Sequence, residues 1–363
     1  FLCLMYLKQL TLTNYKNIRS KTFDLNPKIN CFIGNNGVGK SNILDAIFHL
    51  SFGKSYFNPI SIQNIQFGCD FFVLEGRYEK EKREEKIICS VKKGQKKTIK
   101  RNGKSYERLA DHIGLIPTVI ISPADQDLIL EGSSIRRKFI DGVIGQTDAK
   151  FLKNLIEYNK ILSQRNALLK SFVLNQTFDS DALNIYNLQL AERSTIIFEK
   201  RKAFMIQFIP IFKACYHSIS NQEENINLIF ESQLFKSSHL KLLEESLAKD
   251  RITQYTSSGI HKDDIHFLKD EYPIKKFGSQ GEQKTFLIAL KLAQFNFLKS
   301  KTGFPPILLL DDAFDKLDQL RVSQIVSLVD QNDFGQIFIT DTHKERTLQA
   351  LSKTTSGYDI FDL

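Results

Sequence analysis

The sequence predicts an α/β fold with a mixed sheet, interrupted by an inserted and mainly α-helical lobe. Three observations carry that expectation. The first is Gly34-Asn35-Asn36-Gly37-Val38-Gly39-Lys40-Ser41, which spells G-x-x-x-x-G-K-S. It follows a short apolar run, Ile29-Asn30-Cys31-Phe32-Ile33, and precedes Ile43, Leu44, Ile47 and Phe48 at helical spacing. Strand, glycine loop and helix is the context this motif requires. The second is Ile307-Leu308-Leu309-Leu310-Asp311-Asp312, which reads as a buried parallel strand ending in two carboxylates. The third is the block from 134 to about 247, nearly free of glycine, where apolar residues recur at three and four.

The chain has 363 residues, enough for two or three domains. The glycine-poor block is the one clear shift in composition, so boundaries are expected near 145 and 250. This divides the chain into 1–145, 146–250 and 251–363. Apolar content of 42% supports a packed core. A net charge of +9 raises nucleic acid as a partner, without bearing on fold. Cys3, Cys31, Cys69, Cys89 and Cys215 are scattered, odd in number and without a C-x-x-C pair. A reduced, cytosolic protein without a structural zinc fits that pattern. No run approaches the length of a membrane span. Phe1-Leu2-Cys3-Leu4 is too short for a secretory signal, and a natural start at Met5 is expected. There is no internal repeat and no low-complexity segment.

Residues 6–12 alternate roughly polar and apolar and read as a strand, followed by the loop Asn14-Tyr15-Lys16-Asn17. Residues 20–25 read as its antiparallel partner. In the glycine loop that follows, successive backbone N–H groups turn inward on a polyphosphate, and the helix N-terminus adds a positive dipole end. Lys40 is placed to reach the β- and γ-phosphates, and the Ser41 hydroxyl to ligate Mg²⁺. Residues 71–74 and 86–91 read as further strands.

Lys92, Lys93, Lys96, Lys97, Lys100, Arg101 and Lys104 follow, seven cations with no acid among them. Gly94-Gln95 and Asn102-Gly103 are turn signals, and Asn-Gly marks a hairpin. Two readings of these cations stand together. They contact a phosphate backbone and release its counterions, or they are edge lysines that block strand-to-strand aggregation.

Thr118-Val119-Ile120-Ile121 reads as a buried strand running into Pro123-Ala124-Asp125-Gln126-Asp127-Leu128. The helical block then places Leu152, Leu155, Ile156 and Leu162, and later Leu183, Tyr186, Leu190, Ile197, Phe204 and Ile211, on apolar faces. Two or three long helices packed on one another account for it. It is far too short for an extended coiled-coil arm. Strand character returns at 226–230 and 265–268, with Gly259-Ile260-His261-Lys262-Asp263-Asp264 between them.

Ser279-Gln280-Gly281-Glu282-Gln283-Lys284 opens another helix, with Ser279 and Glu282 at capping-box spacing. A Ser-Gly helix start can hold an anion, and it can equally be an ordinary cap. At the end of the 307–310 strand, Asp311 is expected to hold Mg²⁺ through water. Asp312 is expected to orient or activate the attacking water. Residues 336–340 form another buried strand, ending at Asp341-Thr342-His343. His343 is either a sensor of the γ-phosphate or an ordinary surface residue.

With these pieces in order, the chain resembles the ABC-type ATPase heads of the SMC class, and within that class the RecF family. The resemblance rests on Tyr6-Leu7-Lys8-Gln9-Leu10, on Asn14 to Asn17, and on Gly34 through Ser41 and Asn42. It continues with Ser122-Pro123-Ala124-Asp125, Arg136-Arg137-Lys138-Phe139-Ile140-Asp141, the G-x-H-x-D-D segment, the S-x-G-x-Q-K segment and Leu309-Leu310-Asp311-Asp312. It implies an SMC-like P-loop ATPase lobe plus a helical lobe in place of the coiled coil. It implies that ATP joins two copies, Ser279 and Gly281 of one closing on the nucleotide held by residues 34–41 of the other. It further implies binding to gapped DNA at single-strand/duplex junctions, work with RecR and RecO, support of recombinase loading and the SOS response, and a cytoplasmic, nucleoid-associated location. Gln126 is the residue the resemblance offers for the Q-loop. The chain departs from the general ABC pattern at Gln280, at Asp312 where most carry Glu, and at Asp315 where the D-loop has serine. His343 departs instead from the usual RecF ending. The shorter carboxylate of Asp312 implies slow hydrolysis, a timer more than a motor.

Two other classes compete. A defence ATPase of the overcoming-lysogenisation kind is expected to carry an appended nuclease or toprim domain, and no tail follows Leu363 here. A transporter subunit has no use for the helical insertion or the basic hairpin.

Overall fold

The apolar runs singled out above become the strands of one parallel sheet. The computed structural model describes residues 5–80, 83–220, 224–312, 335–352, 354 and 356–363. The expected start at Met5 after 1–4 and the D-loop residue Asp315 therefore concern residues outside, or adjoining, those described. In chain order the first strands are β1 Met5–Tyr15, β2 Ile18–Asp24, β3 Ile29–Ile33, β4 Phe71–Lys80, β5 Arg83–Lys92, β6 Thr98–Arg101, β7 Lys104–Ser105 and β8 Thr118–Ile121. The later ones are β9 Ile226–Glu231, β10 Asp264–Lys269, β11 Tyr272–Pro273, β12 Ile307–Leu310, β13 Ile337–Asp341 and β14 Tyr358–Asp362. The described helices are α1 Lys40–Phe52, α2 Asp127–Leu130, α3 Ser133–Thr147, α4 Ala149–Leu174, α5 Ser180–Ile219, α6 His239–Glu245, α7 Leu247–Thr253, α8 Ile274–Phe277, α9 Gln280–Thr302 and α10 Lys344–Leu351.

The chain forms two units. The first comprises Phe1–Gln126, Cys215–Asn221 and Lys284–Leu363; the second, Asp127–Ala214 and Gln222–Gln283. These divisions differ from the composition shifts near 145 and 250. Glycine content marks where long helices begin and end, whereas packing keeps α3 with α4 and β10 with β9.

In the first unit the strands are sorted into two sheets. One is parallel throughout, in the order β14-β3-β13-β12-β8. Its central strands β3, β12 and β13 are wholly buried, which is why they read as continuous apolar runs. The other is antiparallel, in the order β2-β1-β4-β5-β6-β7. Leu7, Leu10 and Leu12 of β1 share one core with Ile43, Leu44 and Ile47 of α1 and with Phe32, Leu309 and Phe338 of the parallel sheet. The loop expected at Asn14 shrinks to Lys16-Asn17, because Asn14 and Lys16 take positive φ and let β1 run on to Tyr15. Gln336 ties the sheets together. Its amide accepts from Leu7 N–H at 2.7 Å and donates to the Leu7 and Asn26 carbonyls at 2.8 Å. This satisfies backbone groups where the β1–β4 register shifts after Leu7. The edge strand β14 has no counterpart in the sequence reading, since Tyr-Asp-Ile-Phe-Asp carries two acids in five residues.

The second unit holds α3, α4, most of α5 and the small sheet β11-β10-β9. Asp148 caps α4 by accepting from Phe151 N–H at 2.9 Å. The Gly259–Asp264 stretch is locked from both ends. Asp263 accepts from Arg201 at 2.7 Å, and Asp264 takes Arg136 in a two-pronged pair at 2.8 Å. Arg201 also grips both oxygens of Asp141. Gly259 has φ of 127°, and any Cβ there would strike His239 and the Tyr158 hydroxyl. The G-x-H-x-D-D segment is thus held by packing and ion pairs, and Arg136 and Arg137 are committed to it, Arg137 through the Asp263 carbonyl. Among the described residues no helix is long and apolar enough to cross a membrane.

Four histidines are buried or nearly so, and burial holds each imidazole below its ordinary range. His49 falls to about 3 and His261 to about 4, while His112 and His239 are shifted the same way. Folded-state values below the unfolded one mean that only the unfolded chain takes up protons near pH 6. The stability is complete above about pH 6.5 and is lost as pH falls toward 4. Moving from pH 7.5 to 5.5 is expected to cost about 1 kcal/mol for each of His49 and His261, with His112 and His239 adding in the same direction. Urea midpoints at the two pH values measure it, and equal midpoints would rule the effect out.

Candidate nucleotide-binding site

The site is built where α1 starts, at the end of β3. Gly37 and Gly39 have φ of 86° and 113°, values that glycine adopts without strain. A Cβ on Gly39 would come within 2.8 Å of the Asn17 side chain. Asn17 lies in the tight turn between β1 and β2 and stitches the loop: its amide donates to the Gly37 carbonyl at 3.0 Å, and it accepts from Asn42 at 2.8 Å. Among the described residues the backbone amides of 36–41 donate to no protein acceptor. They are the open amides of a helix start and its approach loop. Lys40 is buried, and its ammonium donates to the carbonyls of Gly34 and Asn35 at 2.6 and 3.0 Å. Gly34, Asn35, Asn36, Val38 and Ser41 complete the loop, with Gly34 N–H donating to the Asp341 carbonyl of β13.

Parallel pairing aligns the strand ends. Asp311 follows β12 and is buried; its carboxylate accepts from the Thr340 hydroxyl at 2.9 Å, and the nearby Ser41 hydroxyl favours its charged form. Burial pushes its carboxyl above the usual range, and the charges of Asp312 and Asp45 add to this. Asp312 has φ of 46°, and its N–H donates to Thr340 Oγ1 at 2.9 Å. Thr340 therefore sets both acids at once. The fit to a magnesium-bound triphosphate rests on this donor set: open amides and an ammonium for phosphate oxygens, a hydroxyl and a carboxylate side by side for a hard cation.

Around this centre the structure supplies support that the sequence reading missed. Asp45 of α1 accepts from Lys16 at 2.6 Å, Tyr15 at 2.7 Å and Ser55 at 2.6 Å. Burial alone would raise its carboxyl, but Lys16 and the hydroxyls outweigh it and hold the group ionised. Asp125, next to Gln126, is buried against Lys291 at 2.5 Å and the Tyr56 hydroxyl. Gln126 itself is half-buried at the end of the first unit. His343 is exposed at the start of α10, and Asp341 before it is held by Arg346 and Thr347 at 2.7 and 2.8 Å. No local sequence pattern marks Asn17 or Thr340, since each acts on residues 20 to 29 positions away in the chain.

Ser279 and Gly281 belong to the second unit. Ser279 and Glu282 form the capping box: Ser279 N–H donates to Glu282 at 2.7 Å, and Glu282 N–H donates back to the Ser279 hydroxyl at 3.3 Å. Lys269 anchors Glu282 at 2.5 Å. Both Ser279 and Gly281 are exposed, and a Cβ on Gly281 would meet nothing within 4 Å.

The seven cations do not act as one cluster. Lys92, Lys93, Lys96 and Lys97 gather at the β5–β6 turn; Lys100, Arg101 and Lys104 lie toward the β6–β7 turn at the other end of β6. Lys97 is turned inward to the Gly53 carbonyl at 2.5 Å, Lys93 pairs with Asp70 at 3.3 Å, and Arg101 is clamped two-pronged by Glu85. Lys92, Lys96, Lys100 and Lys104 are exposed and make no ion pair among the described residues.

The family described as "RecF/RecN/SMC N terminal domain" matches residues 6–359. A protein of Flavobacterium johnsoniae described as "DNA replication and repair protein RecF" is 58% identical, with 99% of this chain and 100% of that protein covered. The chain belongs to the RecF family. A RecF protein of Phocaeicola vulgatus is 49% identical, over 98% of this chain and 96% of its own. A solved structure described as "the recombination mediator protein RecF-ATPrS in RecFOR pathway" superposes with a TM-score of 0.89 at 30% identity, covering 99% of this chain and 98% of that one. Its counterpart described as "RecF-ATP" gives 0.88 at 31% identity, covering 95% and 94%. An SMC head from Pyrococcus furiosus, at 17% identity and a TM-score of 0.53 over 95% and 92%, shares the fold alone. The α/β head fold is thus that of RecF and SMC heads, and none of these relatives carries the description of a defence ATPase.

Proposed function

We propose that this RecF-family chain is a DNA replication and repair protein that pairs on ATP and hydrolyses it slowly. Open amides at 36–41 would cradle the phosphates and Lys40 would neutralise the outer ones. Ser41 and Asp311 would hold Mg²⁺, Asp311 through water. Mg²⁺ supplies charge neutralisation across the phosphate oxygens. Asp312 would orient or deprotonate the attacking water, and His343 would stand near the outer phosphate. Gln126 is the candidate Q-loop residue. Ser279 and Gly281 of a second copy would seal the same nucleotide, so that the pair lasts only while the outer phosphate does.

The observation that carries this reading is a row of open loop amides and a buried Lys40 beside the buried Asp311, whose carboxyl the Ser41 hydroxyl favours in its charged form. The names of the relatives, which give DNA replication and repair and a RecFOR pathway, support DNA as a partner and shared work with RecR and RecO. Gapped duplex as the DNA form and the cytoplasm as the location are part of what we propose. The lysines at 92, 93, 96, 97, 100 and 104, with Arg101, are the candidate DNA contacts. Of these, Lys97 and Arg101 are the weakest candidates because each already has a close partner.

Sedimentation with and without ATP tests the pairing. Lys40→Met and Ser279→Arg are each expected to abolish ATP-dependent dimers while leaving a folded monomer. Mixing the two variants should restore at most one of the two shared sites. Normal dimers from both variants would overturn the arrangement.

A further inference from the structure

From the end of α1 to the first residue of β4, the segment 53–71 of the first unit exposes an unusual set of side chains. Phe57, Ile60, Ile62, Phe67 and Phe71 are all substantially exposed, and Phe67 fully so. Single exposed apolar residues are ordinary, but five within 15 positions are not. The backbone explains how Phe67 is presented. Gln66-Phe67-Gly68-Cys69 is a tight turn closed by Cys69 N–H to the Gln66 carbonyl at 3.0 Å, with Gly68 at φ 82°. Glycine at that corner is what a type II turn requires, and it puts the preceding residue at the apex. The turn is anchored: Gln66 N–H donates to the Asn14 carbonyl, and Ile65 bridges Tyr15. Phe67 is therefore held out on a fixed base.

The neighbours of this turn are the lysines of the β5–β6 turn. Phe71 pairs directly with Lys92 across β4 and β5. Lys93 N–H donates to the Asp70 carbonyl at 2.9 Å, and Lys93 Nζ reaches the Asp70 carboxylate. Lys97 reaches back to Gly53 and Ser61 of the same segment. One sheet end thus carries exposed phenyl rings beside exposed ammonium groups. The other group of cations, Lys100, Arg101 and Lys104, has no exposed aromatic residue of its own strand pair beside it.

We propose that Phe67 and Phe71, with Lys92, Lys93 and Lys96, form a surface for unpaired DNA bases. Cations alone serve a duplex backbone as well as a single strand. Exposed aromatic rings add nothing against a stacked duplex, but give each unstacked base a face to rest on. The inference rests on the DNA reading above and assigns the single-stranded side of a junction to this end of the sheet.

The chain contains no tryptophan, so Phe67→Trp introduces a unique fluorophore at the turn. With ATP present, oligo-dT of about 15 nucleotides is expected to quench it. A blunt duplex of matched length is expected to leave it unchanged. Phe67→Ala should weaken oligo-dT binding roughly 5- to 100-fold, the range for losing a base stack. It should leave an abasic deoxyribose-phosphate oligomer of equal charge, and the duplex, bound as before. Because Phe67 is fully exposed, the variant is expected to melt as the parent does. Equal loss for single strand and duplex, or no loss for either, overturns the assignment while leaving the DNA reading intact. Emission that shifts on ATP-driven pairing without DNA, with DNA affinity unaltered by Phe67→Ala, makes this a protein contact and overturns it as well. Failure of the parent protein to bind any DNA brings down both readings.

Discussion

Replacing Arg201 by methionine is expected to lower the melting temperature by about 10 °C, the largest loss of stability from any single exchange considered. Arg201 is buried in the second unit and donates to Asp141 at 2.9 and 2.8 Å, to Asp263 at 2.7 Å and to the Ile260 carbonyl at 2.8 Å. Methionine fills much of the volume but leaves Asp263 buried with its main cation gone. Breaking a buried ion pair from one side costs about 3–5 kcal/mol, because the stranded charge keeps its desolvation penalty. For units of this size each kcal/mol shifts the midpoint by about 2–4 °C. Adding Asp263→Asn to Arg201→Met should recover part of the loss, since the amide carries no stranded charge. Calorimetry of the three proteins decides it. A shift below about 2 °C for Arg201→Met would show the network to be dispensable.

Asp312→Asn is expected to slow ATP turnover by about 10²- to 10⁴-fold while ATP-dependent pairing persists. Asparagine has the same shape and tolerates the left-handed backbone that Asp312 adopts at φ 46°. Its N–H can keep the Thr340 bond. What is lost is the capacity to accept a proton from water. The contrast with Lys40→Met matters: one variant should trap the pair, the other should never form it. Single-turnover hydrolysis together with sedimentation separates the two. Turnover unchanged in Asp312→Asn would remove that carboxylate from the chemistry and turn attention to other groups at the site.

The depth of the functional centre explains why these expectations differ in kind. Asp311 is buried, and its proton affinity is raised by burial and by the neighbouring acids. Ser41 and Thr340 hydroxyls oppose that rise. Asp45, also buried, is driven the other way by Lys16. The same fold thus keeps one carboxylate ready for a cation and commits the other to holding α1 and the turn before β2.

The sequence by itself determined the order of strands and helices around residues 34–41, the acids closing β12, the capping box at Ser279 and the helical character of α3 to α5. Each is a local pattern, set by spacing, glycine tolerance or a run of apolar residues, and needs no distant partner to be read. Only the tertiary structure decided that the strands sort into a parallel and an antiparallel sheet, that Asn17 braces the loop and Thr340 the two acids, and that seven adjacent cations divide between two turns. It also placed Phe71 beside Lys92 and turned Arg136 inward to Asp264. The physical reason is that these features are made by pairing across sheets and by burial of charge against charge. Such contacts join residues far apart in the chain, and their geometry exists only once the backbone has folded.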